Sequence, residues 1–261
     1  MGLLGRLRRR PAGAGDEVQI SEQDGIRYLH LGSDTVQSAM RLADPTELVL
    51  SYTRSMLAFL LFAPPPRRLV NVGLGGGSLT KWIHHHLPGT QQVVIELNPK
   101  VITCARSHFH LPPDDARLCV LQGDGAAWVA QHPDCCEVIL VDGYDGVSQA
   151  TELATREFYA NAARALHPDG ILVVNLWGND RRFDEYLQRI EAAFDGQVCC
   201  LPAAQRGNIA VLAFRSKPVA TRWDELRDQA RRLQSRYAIE FPDLVGSMRQ
   251  LNPHTSRRLL I

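Results

Sequence analysis

The feature that most constrains this chain is an alternation that begins at Arg67. Short runs of Val, Ile and Leu at 69–72, 93–97, 118–122, 138–141 and 171–176 each precede a stretch with helical character, at 78–86, 99–108, 124–130, 156–166 and 181–194. The runs show little polar alternation, as expected of strands covered on both faces of a parallel sheet. Strand–helix alternation of this kind predicts a doubly wound α/β fold. The pattern breaks once. Segments 197–201 and 209–214 flank Arg206-Gly207-Asn208 with no helix between them, which predicts an antiparallel hairpin added to the parallel sheet. A last helix fits 222–237.

The region before Arg67 reads differently. Residues 1–16, with Arg6, Arg8, Arg9 and Arg10 ahead of a Pro/Gly/Ala stretch, form a basic tail of the kind expected to stay solvated. No apolar run follows the arginines, so a secretion signal is not expected. Segments 18–21 and 26–31 are separated by Asp24-Gly25, a hairpin signal, and a third strand fits 36–40. Asp44-Pro45 is expected to open a helix, with Asp44 as its cap, running to about Phe62. Pro64-Pro65-Pro66 then ends this unit. Three parts follow: a tail at 1–16, an N-terminal β unit with its connecting helix at 17–63, and a Rossmann-like catalytic unit at 64–261.

At 261 residues with 45% hydrophobic and 22% charged, the composition is that of a globular protein, and a net charge of +1 gives no general case for nucleic acid or membrane binding. The longest apolar stretch, around 48–63, is interrupted by Ser51, Tyr52, Thr53, Arg54 and Ser55, so no membrane span is expected. None of the six cysteines has the spacing of a zinc or redox site. They read as small buried hydrophobes in a reducing cytoplasm. His84, His85 and His86 are consecutive on an expected helix and point in three directions, so no metal site is assigned.

In open α/β sheets ligands lie outside the carboxyl ends of the strands. Four of the expected strands carry telling residues there. The first runs into Val72-Gly73-Leu74-Gly75-Gly76-Gly77, where glycines let backbone N–H groups and a helix N-terminus approach a ligand. The spacing departs from the dinucleotide fingerprint G-x-G-x-x-G because Ser78 takes the last slot, which weakens a nicotinamide-cofactor reading. The second ends in Glu96, about 20 residues on, where an acid can accept from ribose hydroxyls. The third ends in Gly123-Asp124-Gly125, whose acid can accept from an adenine amino group. The fourth, Val138-Ile139-Leu140-Val141, meets Asp142-Gly143-Tyr144-Asp145, two carboxylates beside a buried run. These predict a nucleoside-bearing donor at the glycine turn and a cationic second substrate at the aspartates. Asp142 is alternatively a turn aspartate, since Asp-Gly is turn chemistry. Tyr144 is either a hydrogen-bond donor or a lid residue. Asn175 either faces the site or is structural.

In this order, the residues Gly73-x-Gly75-x-Gly77, Glu96, Gly123-Asp124-Gly125, Asp142-x-x-Asp145, Thr155-Arg-Glu-Phe-Tyr159 and Leu166-His-Pro-Asp-Gly170 resemble the spermidine synthase (polyamine aminopropyltransferase) family. The resemblance covers roughly residues 18–215. Gln37 is similar to the glutamine of the family that contacts the donor, and Tyr52 to the tyrosine of its Tyr-His-Glu motif. The resemblance implies a Rossmann-like class I methyltransferase fold with a seven-stranded, mostly parallel sheet and a small N-terminal β unit. It implies a cytoplasmic homodimer that transfers an aminopropyl group from decarboxylated S-adenosylmethionine to a polyamine such as putrescine, giving spermidine and 5′-methylthioadenosine. The donor is a co-substrate, and no tightly bound cofactor is implied. By carry-over Glu96 holds the ribose, Asp124 and Gly125 the adenine, Gln37 the nucleoside, Asp142 takes the proton and Asp145 binds the polyamine. The chain departs from the family at Gly76, where the loop usually carries an aspartate, at Thr53 and Arg54 in place of His-Glu, and at Gly146 in place of a proline. These changes mark a divergent, spermidine synthase-like member. Arg54 is a candidate partner for the carboxylate of uncleaved S-adenosylmethionine. A methyltransferase on the same scaffold and a nucleoside-binding protein without turnover are the alternatives.

Overall fold

A computed structural model describes residues 17–32, 35–143, 150–205, 207–219 and 221–261. The N-terminal tail, Tyr144 and Asp145 lie outside these residues.

The N-terminal sheet has three antiparallel strands, β1 (Val18–Gln23), β2 (Ile26–Leu31) and β3 (Val36–Arg41), in that order. Asp24 and Gly25, with φ of 52° and 74°, form the two-residue turn between β1 and β2. Positive φ at both positions is what a type I′ hairpin needs. Leu29 and Met40 bury their side chains against Cys104 and Phe109 of the larger unit.

Asp44-Pro45 does not open a helix. The Asp44 carboxylate accepts from the Thr46 amide at 3.0 Å and the Thr46 hydroxyl at 2.7 Å, closing a turn on itself. The helix α1 starts at Ser51 and runs only to Met56 before tightening into a 3₁₀ turn, Leu57–Leu61. The carbonyls of Leu48 and Val49 accept from the Arg54 guanidinium, at 2.6 and 3.2 Å, instead of from helical amides.

The remaining strands are β4 (Arg68–Val72), β5 (Gln91–Glu96), β6 (Leu118–Gln122), β7 (Cys136–Val141), β8 (Leu166–Trp177), β9 (Val198–Pro202) and β10 (Asn208–Phe214). They form one sheet in the order β6-β5-β4-β7-β8-β10-β9. β4 pairs parallel with β5 and β7, and β10 pairs antiparallel with β8 and β9. β8 begins five residues earlier than its apolar run suggests. The extra residues sit in an irregular pairing with β7, where the register jumps between Cys136↔Leu166 and Val138↔Ile171.

The period of two divides the apolar runs between two cores. Leu69, Val138, Leu140, Ile171, Val173 and Leu212 face one side, with α1, α2 (Ser78–His86), α7 (Trp223–Tyr237) and α8 (Phe241–Ser247). Val70, Val72, Ile139, Val141, Leu172, Val174 and Val211 face the other, with α4 (Gly125–Gln131), α5 (Arg156–Ala165) and α6 (Phe183–Ala193). The helix α3 (Pro99–His108) packs near the sheet end and under the N-terminal sheet. Both faces are covered, which is why the strands lack polar alternation. The helix α8 escaped the sequence reading. It spans seven residues, too few for a periodic signal, although Phe241, Leu244 and Val245 are buried.

All six cysteines are free thiols. Four are buried, whereas Cys135 is half-buried and Cys119 is exposed on the edge strand β6, unlike the buried role expected of it. His84 turns to Asp115 at 3.0 Å, while the His86 ring lies 4.7 Å from Trp82.

Candidate active site

The strand order reverses between β4 and β7, and the crevice at such a switch point is where ligands bind in open α/β sheets. The strand ends there continue their pairing by one residue into the loops. Gly73 N donates to Ile95 O at 2.9 Å, Asp142 N to Val72 O at 2.9 Å and Gly123 N to Glu96 O at 3.0 Å. The glycine loop, Glu96, Asp124 and Asp142 are thereby fixed to one backbone framework.

Gly73 is demanded by that framework. Its φ is 97°, and a Cβ there would sit 2.2 Å from the carbonyl oxygen of Asp142. Gly125 is demanded by space, since a Cβ would meet a methyl of Val72 at 2.4 Å. Gly77 precedes α2 as its cap residue. Gly76, where the resemblance expects an acid, packs against other elements. A Cβ on it would lie 2.8 Å from both the Ser38 hydroxyl and the Phe109 ring.

These elements enclose a cavity of about 470 Å³. Gln37, Gly73, Gly75, Glu96, Asp124, Gly125 and Asp142 all line it. Gly77 is not among its lining residues and packs toward Leu111, and Tyr52 reaches the cavity wall by donating its hydroxyl proton to Asp142 Oδ2 at 3.0 Å. The Tyr52 oxygen also lies 3.4 Å from the Gln37 carbonyl. Glu152, on the 3₁₀ turn Thr151–Ala154, is a lining residue the sequence reading passed over. It follows Asp142 by ten residues, with no motif to connect them.

Each carboxylate has a distinct setting. Glu96 Oε2 accepts from the Leu74 amide and Oε1 from the Asn98 amide, both at 2.9 Å. Burial pushes its carboxyl above the usual range, and these amides only partly offset that. Asp124 Oδ1 caps α4, accepting from the amides of Ala126 at 2.8 Å and Ala127 at 3.2 Å. Burial also raises the Asp142 carboxyl, opposed by hydrogen bonds from Asn175 and Tyr52. Asn175 Nδ2 donates to Asp142 Oδ1 at 2.8 Å, so Asn175 does face the site. Its own Oδ1 accepts from Asn208 Nδ2 at 3.0 Å.

Arg54 is committed elsewhere. Its Nε donates to Glu240 Oε1 at 2.6 Å, tying α1 to the start of α8, and its other bonds go to Leu48 and Val49. Among the described lining residues the cavity holds four carboxylates, Glu96, Asp124, Asp142 and Glu152, and no cationic side chain.

A seven-stranded sheet of this order, with a glycine loop and acids at successive strand ends, defines a Rossmann-like fold of the class I methyltransferase type. Solved structures share it. A probable spermidine synthase from Corynebacterium glutamicum superposes with a TM-score of 0.67 at 17% identity, covering 82% of this chain and 83% of that one. Human methyltransferase-like protein 13 in complex with SAH superposes with a TM-score of 0.62 at 22% identity, over 79% of this chain and 96% of that one. The family model for the spermine/spermidine synthase domain matches residues 50–222. A polyamine aminopropyltransferase of Chromobacterium violaceum is 43% identical over 98% of both chains, and one from Neisseria meningitidis is 41% identical over 96% of both. The chain belongs to the spermine/spermidine synthase family.

Proposed function

We propose that this chain is a polyamine aminopropyltransferase that moves an aminopropyl group from decarboxylated S-adenosylmethionine to a polyamine such as putrescine, giving spermidine and 5′-methylthioadenosine. One observation carries the choice of substrates: the cavity is lined by four carboxylates and no cation among its described residues. A sulfonium donor and an ammonium acceptor are both cationic and gain from this field, whereas a phosphate-bearing cofactor would be repelled. The same argument favours the decarboxylated donor over the intact one. A donor carboxylate would need a cationic partner, and Arg54 is held by Glu240 and by backbone carbonyls.

In this reading Glu96 accepts from the ribose, Asp124 and Gly125 hold the adenine, Gln37 borders the nucleoside, and Gly73, Gly75 and Gly77 shape the loop. Asp142 takes the proton, with Tyr52 beside it, and Tyr144 and Asp145 contact the polyamine. The amine nitrogen must be neutral to attack, yet a free alkylammonium has a pKa of about 10.4. Burial raises the Asp142 carboxyl, which narrows the gap between base and ammonium. The nitrogen then forms a bond to the carbon beside sulfur, the C–S pair returns to sulfur, and the departing thioether is neutral. The amine's proton passes to Asp142 and from there to water.

The division into 17–63 and 64–261 suits this chemistry, with the first unit supplying Gln37 and Tyr52 and the second supplying the donor loop and the base. Six free thiols support a reducing, cytoplasmic setting, and no helix among the described residues is long and apolar enough to cross a membrane. Membership of the family supports a homodimer.

Incubation with putrescine and either decarboxylated or intact S-adenosylmethionine tests the reading. Methylthioadenosine and spermidine from the decarboxylated donor are expected. S-adenosylhomocysteine would indicate a methyltransferase instead. Tight donor binding with neither product would leave a binding protein.

A further inference from the structure

We propose that Asn208, acting through Asn175, is a positioning residue for Asp142, and that the β9–β10 hairpin thereby sets the orientation of the reacting carboxylate. The inference rests on the reading of Asp142 as the proton acceptor.

An asparagine amide is ambiguous in direction, since its oxygen and nitrogen are similar in size but opposite in hydrogen-bonding character. Asn175 is 3% exposed, so water does not decide which end meets Asp142. Asn208 decides it. By donating Nδ2 to Asn175 Oδ1 at 3.0 Å, it leaves Asn175 Nδ2 to point at Asp142 Oδ1, 2.8 Å away. Without Asn208 the Asn175 amide loses the donor that holds its oxygen away from the carboxylate, and its Nδ2 is aimed at Asp142 less firmly.

The hairpin reaches the other arm of the carboxylate as well. Gln205 N donates to the Ser51 hydroxyl at 3.1 Å, and Ser51 adjoins Tyr52, whose hydroxyl donates to Asp142 Oδ2. Both donors that grip Asp142 are therefore attached to one hairpin, one through a side chain and one through a helix end. Two neutral donors favour the ionised carboxylate against its burial. The groups facing Asp142 from packed elements are Tyr52 on α1 and Asn175 on β8, with Glu96, Asp124 and Glu152 lining the same cavity.

The test uses the full chain as wild type, N208A, N175A and the double variant. Two readouts are taken. One is kcat against pH with decarboxylated S-adenosylmethionine and putrescine. The other is a carboxyl-carbon NMR titration of Asp142 in the substrate-free protein, assigned by comparison with D142N. N208A is expected to move the Asp142 titration and the acid limb of kcat upward by about half a pH unit or more. It is expected to lower kcat about tenfold through misorientation of the base. In the N175A background N208A should add nothing, because the relay is already cut. An unshifted titration in N208A, or an equal shift in both backgrounds, overturns the proposal. If N175A does not fold, N175L keeps the volume and serves as the background. The NMR titration needs no turnover. Absence of aminopropyl transfer would remove the functional reading, while the relay stands or falls on the titration.

Discussion

Asp142 carries opposing demands, and the opposition makes it testable. Replacement by Asn should cut aminopropyl transfer by a factor on the order of 10²–10⁴, the usual contribution of a general base. Donor affinity, measured by calorimetry, should fall far less than turnover, since three of the four cavity carboxylates remain. Stability should move the other way. An aspartate whose carboxyl is raised in the folded state costs nothing below its unfolded pKa of about 3.9, and the full cost of its buried charge appears above the folded pKa. The Tm of D142N minus that of wild type should therefore grow as pH rises through that window, and thermal melts across pH would show it. A difference that shrank with rising pH would contradict the burial argument. Glu96→Ala should weaken donor binding by about 10- to 100-fold, as expected for losing hydrogen bonds to a charged group. Asp142 and Glu96 were legible in the sequence because each follows directly on an apolar run. Asn208 was not, since its partner Asn175 lies 33 residues away and the two meet only because β10 lies beside β8.

At the scale of elements, the strands were the easy part. Runs such as Val138-Ile139-Leu140-Val141 carry their own evidence, and their two-sided burial follows from covered faces. Segments held by side chains calling to distant backbone were not legible. Arg54 occupies the carbonyls of Leu48 and Val49 and fastens α1 to α8, neither of which a local pattern announces. Arg54→Met should lower stability by about 1–2 kcal/mol in denaturant titration, since it leaves two carbonyls and Glu240 without their donor. Turns offer a contrast of two glycines. Gly73→Ala should cost about 2 kcal/mol or more, because strain at φ of 97° adds to a clash with the Asp142 carbonyl. Gly25→Ala, in a turn with nothing near its Cβ, should cost only about 1 kcal/mol. Equal losses in the two variants would mean that the close approach of β4 and β7 is not a determinant.

For the whole molecule, the family domain ends at residue 222 but the core does not. Trp223, Leu226, Leu233, Phe241, Leu244 and Met248 belong to the same apolar cluster as Val138, Val173 and Leu212. A chain cut after residue 222 should be insoluble or bind a hydrophobic dye strongly, whereas the intact chain should elute from a sizing column at twice its own mass if the proposed homodimer forms. Another consequence follows from the crowding around Gly76. The space a side chain there would need is filled by a hydroxyl from β3 and a ring that follows α3. An aspartate placed at 76 would collide with both. The N-terminal sheet and the residue after α3 would have to give way together before a carboxylate could stand in the glycine loop. The loop is thus locked, by packing from two other elements, against gaining an acid in one substitution.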